Sequence, residues 1–77
     1  MERDFYIYGV DMEVIMEEPS DEEKDGDVWA SLMQQYVGHA GTITDRQNWE
    51  GRPLYLVDFG TNDWWCEEQW LRSVSCI

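Results

Sequence analysis

The sequence predicts a small, mainly β protein in which five short strands form one barrel-like sheet. Three observations predict this fold. Short runs of strand-forming residues alternate apolar with polar side chains, turn residues separate these runs, and 77 residues leave room for a single domain. With 43% hydrophobic and 14% aromatic residues, the chain has enough apolar mass to condense around a small core.

The first strand is predicted at residues 10–16, where apolar and acidic side chains alternate. Because alternate residues of a strand point to opposite faces, this strand is expected to be half buried. Its expected buried face consists of Val10, Met12, Val14 and Met16. The preceding residues 5–8 are aromatic or β-branched, and we expect them either to begin the same strand or to add a short edge.

Residues 17–27 are predicted to form a solvated, mobile loop, because acids, a proline and a glycine leave nothing to bury. Nine of the residues between Asp11 and Asp27 are acidic, against the single cation Lys24. Asp27 is expected to cap a helix of about two turns that runs through residues 31–36.

The remaining strands are predicted at residues 40–46, 54–59, 64–66 and 73–76. The strand at 54–59 carries apolar residues on both faces, so we expect it inside the sheet. Residues 47–52 are predicted to be a loop, residues 60–63 a tight reversal and residues 67–71 one helical turn. Trp64 and Trp65 must point to opposite faces of their strand, which predicts that one of them is exposed.

Four stretches carry a resemblance to a known pattern: residues 36–43 (YVGHAGTI), 55–59 (YLVDF), 64–65 (WW) and 67–71 (EEQWL). Together they resemble the small SH3-like β-barrel proteins and domains of bacteria and their phages. The resemblance implies a five-stranded SH3-like barrel over residues 1–77, with an acidic loop and short helix, residues 17–36, inserted after the first strand. It brings no catalytic residue with it, and a fold of this kind hosts many functions.

The formal net charge of −12 restricts the class of partner. Phosphate backbones and anionic lipid surfaces repel such a protein, so we expect neither direct nucleic-acid binding nor membrane binding. The sequence has neither an apolar run of membrane-spanning length nor the basic start of a signal peptide, which favours a cytoplasmic location. A basic protein is the natural complement, and the sequence leaves the oligomeric state open.

The residues that carry metal or catalytic chemistry are poorly placed for it. Residues 21–27 partly match a calcium-binding loop, but Leu32 occupies the twelfth position, where a bidentate Glu is required. His39, Cys66 and Cys76 lack zinc-site spacing, and His39 is expected to be an ordinary surface histidine. A small barrel has no deep cleft in which to raise a carboxyl pKa. We therefore expect no metal, no cofactor and no enzymatic activity.

The predicted partner-binding residues are seven acids and two tryptophans: Glu17, Glu18, Asp21, Glu22, Glu23, Asp25, Asp27, Trp49 and Trp65. Trp49 lies at a loop tip and either anchors an interface or folds back over the barrel mouth. One hypothesis is a phage-type inhibitor whose carboxylates mimic nucleic-acid phosphates and dock on a basic, nucleic-acid-binding protein. The alternative is an SH3-like module that binds a protein or peptide through an exposed aromatic groove.

Overall fold

The computed structural model describes residues 5–74, which contain one five-stranded antiparallel sheet. In chain order the elements are β1 (Glu13–Met16), α1 (Asp21–Lys24), a 3₁₀ helix (Ser31–Tyr36), β2 (Ala40–Trp49), β3 (Arg52–Asp58), β4 (Asp63–Glu67), a second 3₁₀ helix (Glu68–Trp70) and β5 (Leu71–Ser73). The mainly β fold is confirmed. Across the sheet the order is β4-β3-β2-β1-β5, so β4 and β5 are the two edges. The sheet is not closed, and the predicted barrel closure is not confirmed.

The first strand begins later than the sequence predicts. Residues 9–12 form a turn in which the Met12 N–H donates to the Gly9 carbonyl at 3.2 Å, and Asp11 has a φ of 76°. This turn leaves Val10 exposed, so its predicted place on the buried face is wrong. Val14 and Met16 are fully buried, which confirms the alternation from residue 13 onward.

The predicted loop at residues 47–52 is instead a tight hairpin. Strands β2 and β3 stay paired as far as Trp49 and Arg52, and only Glu50 and Gly51 connect them. These two residues have φ values of 52° and 83°, and positive φ at both positions matches the right-handed twist of the strands. The predicted interior position of the 54–59 strand is confirmed, since β3 pairs with both β2 and β4.

The reversal predicted at residues 60–63 is confirmed. The Phe59 N–H donates to the Asn62 carbonyl at 2.9 Å, and Gly60 supplies the positive φ that the turn needs. Gly41 has a different role, because a Cβ there would lie 2.6 Å from a Val57 methyl carbon. Its missing side chain lets β2 pass close to β3.

Residues 17–27 are not a loop throughout, because Asp21–Lys24 form the short helix α1. Helix α1 begins with a capping box, in which Ser20 and Glu23 satisfy each other's backbone N–H groups. The helix predicted to start from an Asp27 cap is a 3₁₀ helix that begins at Ser31, and no side chain caps it. Its three-residue period buries Met33 and Tyr36 on one side.

The core lies on one face of the sheet. Residues from the segment before β1 and from the segment between β1 and β2 pack over it. Its buried residues are Val14, Met16, Met33, Tyr36, Ile43, Tyr55, Val57, Cys66, Trp70 and Leu71. The aromatic residues Tyr6 and Tyr8 pack against it from the N-terminal side. The predicted last strand starts at Leu71 rather than Ser73, and its residues 75 and 76 lie outside the described residues.

Candidate functional site

Three acids of the acidic segment, residues 17–27, bond to other side chains, and two of these bonds reach β5 and the second 3₁₀ helix. Glu17 pairs with Arg72 at 3.1 Å, Glu18 with Lys24 at 2.7 Å, and Glu23 accepts a hydrogen bond from the Gln69 amide at 2.9 Å. The hydrogen bond from Lys24 lowers the pKa of the Glu18 carboxyl, and that from Gln69 lowers the pKa of Glu23. These contacts favour the charged carboxylates.

The segment's other four acids project into solvent. Asp21, Glu22, Asp25 and Asp27 are exposed, and none forms an ion pair with another residue of the described part of the chain. Lys24 does not neutralise them, because its ammonium is bonded to Glu18 and lies 5.7 Å from the centre of the Trp29 ring. The result is a fixed cluster of uncompensated negative charge.

A chain of polar contacts connects this cluster to the sheet. The Gln69 amide nitrogen donates both to Glu23 and, at 3.0 Å, to Glu67 at the end of β4. Glu67 is buried and also pairs with Arg52 at 3.6 Å. The Arg52 guanidinium in turn lies 4.6 Å from the centre of the Trp49 ring. The acidic segment and Trp49, predicted separately, therefore belong to one connected surface.

Trp65 lies on the outer face, defined here as the side of β2, β3 and β4 away from the core. The register aligns Leu56 with Asp45 on one side and with Trp65 on the other. Its neighbour Trp64 packs against the core, which agrees with the predicted opposite orientation of the two tryptophans. Trp65 is half buried rather than fully exposed. The outer face thus combines apolar and acidic side chains.

Trp49 does not fold back over the core, and its role as an interface anchor stays a prediction. It is half buried at the end of β2, where the guanidinium of Arg52 covers its ring. It therefore packs within the hairpin instead of over the core. The contact is a cation–π interaction, worth about 0.5–1 kcal/mol at an exposed site.

Two parts of this surface escaped sequence reasoning. Gln69 stands 46 residues from Glu23 in the chain, and no local pattern connects an amide with an acid at that distance. The sequence gives no sign that Glu67 differs from the surface acids. In the structure it is buried, and contacts with Arg52 and Gln69 compensate its charge. Both contacts depend on the strand pairing, which brings the end of β4 beside α1 and the β2–β3 hairpin.

The metal-ligating residue types are dispersed. His39 is exposed, as predicted, and Cys66 is buried in the core, where burial raises the pKa of its thiol to about 12. Cys76 lies outside the described residues. Within residues 5–74, no three His, Cys, Asp or Glu side chains are grouped so that they would hold a metal ion. The absence of a metal and of a cofactor stays a prediction.

Comparison of the chain with protein-family models, with curated proteins and with solved structures finds no match. None of the helices within residues 5–74 has the length and the apolar content to cross a membrane. The surface formed by those residues opens into no pocket. The candidate site is therefore the exposed surface that runs from the acidic segment, through Gln69 and Glu67, to the outer face of the sheet.

Proposed function

We propose that this protein is a non-enzymatic inhibitor that docks its acidic segment on a basic, nucleic-acid-binding protein. One observation carries the proposal: Asp21, Glu22, Asp25 and Asp27 are exposed and unpaired with any described residue, while Lys24 is bonded elsewhere. Carboxylates in such a cluster present a field like that of nucleic-acid phosphates. A groove of lysines and arginines that binds nucleic acid would accept them, which is the strategy of a phage-type anti-defence protein in the cytoplasm.

The contacts that the acidic segment makes support a binding role over a purely solvated face. A net charge of −12 on 77 residues destabilises the fold through self-repulsion, unless a partner uses the charge. The capping box at Ser20 and Glu23 and the bond from Gln69 fix the backbone that carries the carboxylates. A partner then binds charges that are already in place, and less conformational entropy is lost on association.

The strand order also supports an SH3-like arrangement of the kind that the sequence resembles. A long connection follows β1, short hairpins connect β2 to β3 and β3 to β4, and a 3₁₀ helix precedes β5. In this proposal the sheet is an open variant of the small barrel, and the acidic segment is an insertion after the first strand. The insertion then supplies the partner-specific surface.

The alternative function is an interaction module that binds through its aromatic face. One observation favours it: Trp65 and Leu56 are half buried on the outer face and are not part of the core. Binding through this face would depend weakly on salt, because apolar contacts are not screened. Binding through the carboxylates would weaken steeply with salt, since the Debye length is about 8 Å at 0.15 M.

The experiment uses the protein as bait in a nuclease-treated bacterial lysate, beside a variant with Asp21→Asn, Glu22→Gln, Asp25→Asn and Asp27→Asn. We expect the parent to retain a basic protein that salt releases and that duplex DNA displaces, and the variant to retain far less of it. Equal retention by both baits would contradict the proposal. Retention that is insensitive to salt but lost in Trp65→Ala would support the aromatic face instead.

A further inference from the structure

We infer that the open edge of β4 binds an extended basic segment of the partner as an additional strand. The inference rests on the proposed function, and it names the second contact that the same basic partner makes. It concerns Asp63, Trp65 and Glu67, which alternate along β4. Such strand addition combines main-chain hydrogen bonds, which give affinity, with alternate side chains, which give specificity.

The backbone geometry turns the main-chain N–H and C=O groups of these three residues away from β3. The hydrogen bond between Phe59 and Asn62 closes the β3–β4 turn, and antiparallel pairing alternates from there. Trp64 and Cys66 therefore direct their N–H and C=O groups toward β3, whereas Asp63, Trp65 and Glu67 direct theirs outward. Within residues 5–74 no other strand pairs with this side of β4.

The side chains at the edge specify the chemistry of the added strand. Asp63, Trp65 and Glu67, whose backbone groups point away from β3, also have their side chains on the outer face of the sheet. Directly opposed side chains of paired strands lie about 5 Å apart. Asp63 is exposed and Trp65 is half buried, whereas Glu67 is buried and already pairs with Arg52 and Gln69. A basic strand that presents Lys or Arg opposite Asp63 and an apolar residue opposite Trp65 therefore complements this edge.

The charge of the protein argues against a second copy of this chain as the occupant. Two copies, each with a net charge of −12, repel one another, whereas a basic segment is attracted.

The edge also adjoins the acidic segment. Glu67 at the end of β4 is connected to Glu23 by the shared hydrogen bonds of Gln69. A basic partner that lies on Asp21 and Glu22 therefore has a short path to the β4 edge. The two contacts reinforce each other, because the first raises the effective concentration of the segment at the second.

The test titrates the protein with the peptide Thr-Lys-Thr-Val-Thr-Lys-Thr and follows amide hydrogen exchange by NMR. We expect the exchange of the Asp63, Trp65 and Glu67 amides to slow on binding, since these groups face outward in the free protein. The amides of Trp64 and Cys66 already bond to β3 and serve as internal controls. Unchanged exchange at the three outward amides in the peptide complex would overturn the inference.

Two modified peptides separate strand addition from simple charge attraction. N-methylation of the Lys and Val nitrogens removes the donors that face β4, and we expect binding about tenfold weaker, as for the loss of a few net hydrogen bonds. N-methylation of three of the Thr nitrogens preserves those donors and the charge, so binding should change little. Equal affinity of the two modified peptides would also overturn the inference.

Two variants of the protein test the hydrogen bond that the Trp65 N–H is proposed to donate to the added strand. Trp65→Pro removes the outward N–H at an edge that tolerates proline, whereas Trp65→Val keeps it, and both remove the indole. We expect the proline variant to bind the peptide more weakly than the valine variant at equal melting temperature. If the two bind equally while the neutralised acidic segment loses its partner, strand addition is wrong and the proposed function stands. If the neutralised segment keeps its partner, the proposed function is what fails.

Discussion

Two segments of the chain contact the second 3₁₀ helix, Glu68–Trp70, each by different chemistry. The N-terminal segment, residues 5–12, is bonded to Glu68, whose carboxylate accepts the Tyr55 hydroxyl at 2.6 Å and the Ile7 N–H at 3.3 Å. The acidic segment is bonded to the next residue, Gln69. The first set of bonds is built around Tyr55, which is fully buried, and the second lies at the surface.

The difference predicts unequal contributions of the two segments to stability. Hydrogen bonds around a buried hydroxyl are strong because water does not compete, and a lost partner leaves a desolvated group behind. Exposed carboxylate contacts contribute little, since water replaces them. Tyr6 and Tyr8 of the N-terminal segment pack against the core, so we expect this segment to contribute more to stability. The four unpaired acids of the acidic segment are expected to contribute little.

The largest effect is expected at Trp70, the last residue of the second 3₁₀ helix, because its side chain lies in the core. Its ring is 1% exposed and lies 5.5 Å from that of Trp29 in an edge-to-face contact. We expect Trp70→Ala to cost about 3–5 kcal/mol of unfolding free energy through the cavity that it leaves. Trp49→Ala is the matched control and should cost about 1 kcal/mol. Urea unfolding followed by circular dichroism measures both, and equal costs would contradict the central role of Trp70.

Tyr55→Phe should weaken the N-terminal segment and leave the acidic segment unchanged. The change removes the donor to Glu68 and the acceptor of the Ile7 and Tyr8 N–H groups, while the ring keeps its place in the core. Because one of these bonds ends on a carboxylate, we expect a cost of about 2 kcal/mol. Hydrogen exchange should quicken at Ile7 and Tyr8 and stay unchanged in α1. A uniform change in both segments would mean that they unfold together.

The same tyrosine predicts a loss of stability at high pH. Burial, with the hydrogen bond to Glu68, raises the pKa of Tyr55 from its ordinary 10 to about 12. The neutral phenol is therefore favoured by folding, so its contribution is complete below pH 10 and disappears as the pH rises from 10 to 12. Cys66 adds a loss of the same sign, because burial also raises its pKa to about 12. The pKa of Tyr8 is also raised by burial, so part of the loss remains without Tyr55. In a Cys66→Ala background, Tyr55→Phe should therefore reduce the fall in melting temperature between pH 10 and 12, and an unchanged fall would contradict this role of Tyr55.

Local patterns predicted the strands and failed where the chain depends on distant contacts. Alternation located the buried Val14 and Met16, and the two apolar faces of residues 54–59 located the interior strand. Burial of a strand residue follows from the local alternation of apolar and polar side chains, so a short stretch of sequence is enough to predict it. The turn at Glu50 was missed because Glu rarely takes a positive φ, and the register of the long hairpin imposes it.

The candidate site was only half predictable for the same reason. Composition alone identified the acids as the outstanding feature of the chain, and four of them are exposed and unpaired among the described residues. The position of the acidic segment relative to the sheet was not predictable, since it depends on the bond between Glu23 and Gln69, which are 46 residues apart. The place of Trp65 beside an open edge was hidden by the expectation that the sheet closes into a barrel.

Within the acidic segment, Glu23 and Glu22 compare a bonded acid with an exposed one. Glu23 completes the capping box and accepts from Gln69, whereas Glu22 is exposed beside it in α1. We expect Glu23→Ala to cost about 1 kcal/mol and Glu22→Ala almost nothing. Since the pKa of Glu23 is lowered in the folded protein, its contribution is present above its ordinary pKa and is lost as the pH falls. Thermal unfolding at pH 7 and pH 3 measures both parts, and equal costs for the two variants would contradict this division.

The smallest effect on stability is expected when all four unpaired acids are neutralised, by Asp21→Asn, Glu22→Gln, Asp25→Asn and Asp27→Asn. No described residue pairs with these carboxylates, so their removal breaks no ion pair and relieves the repulsion within the segment. We expect a melting temperature equal to or slightly above that of the parent, with the difference shrinking as salt screens the charges. The matched control neutralises the bonded acids Glu17, Glu18 and Glu23 to Gln, which should lower the melting temperature. A four-site variant that melts several degrees lower would show that these acids support the fold, and the separation between the two segments would then be wrong.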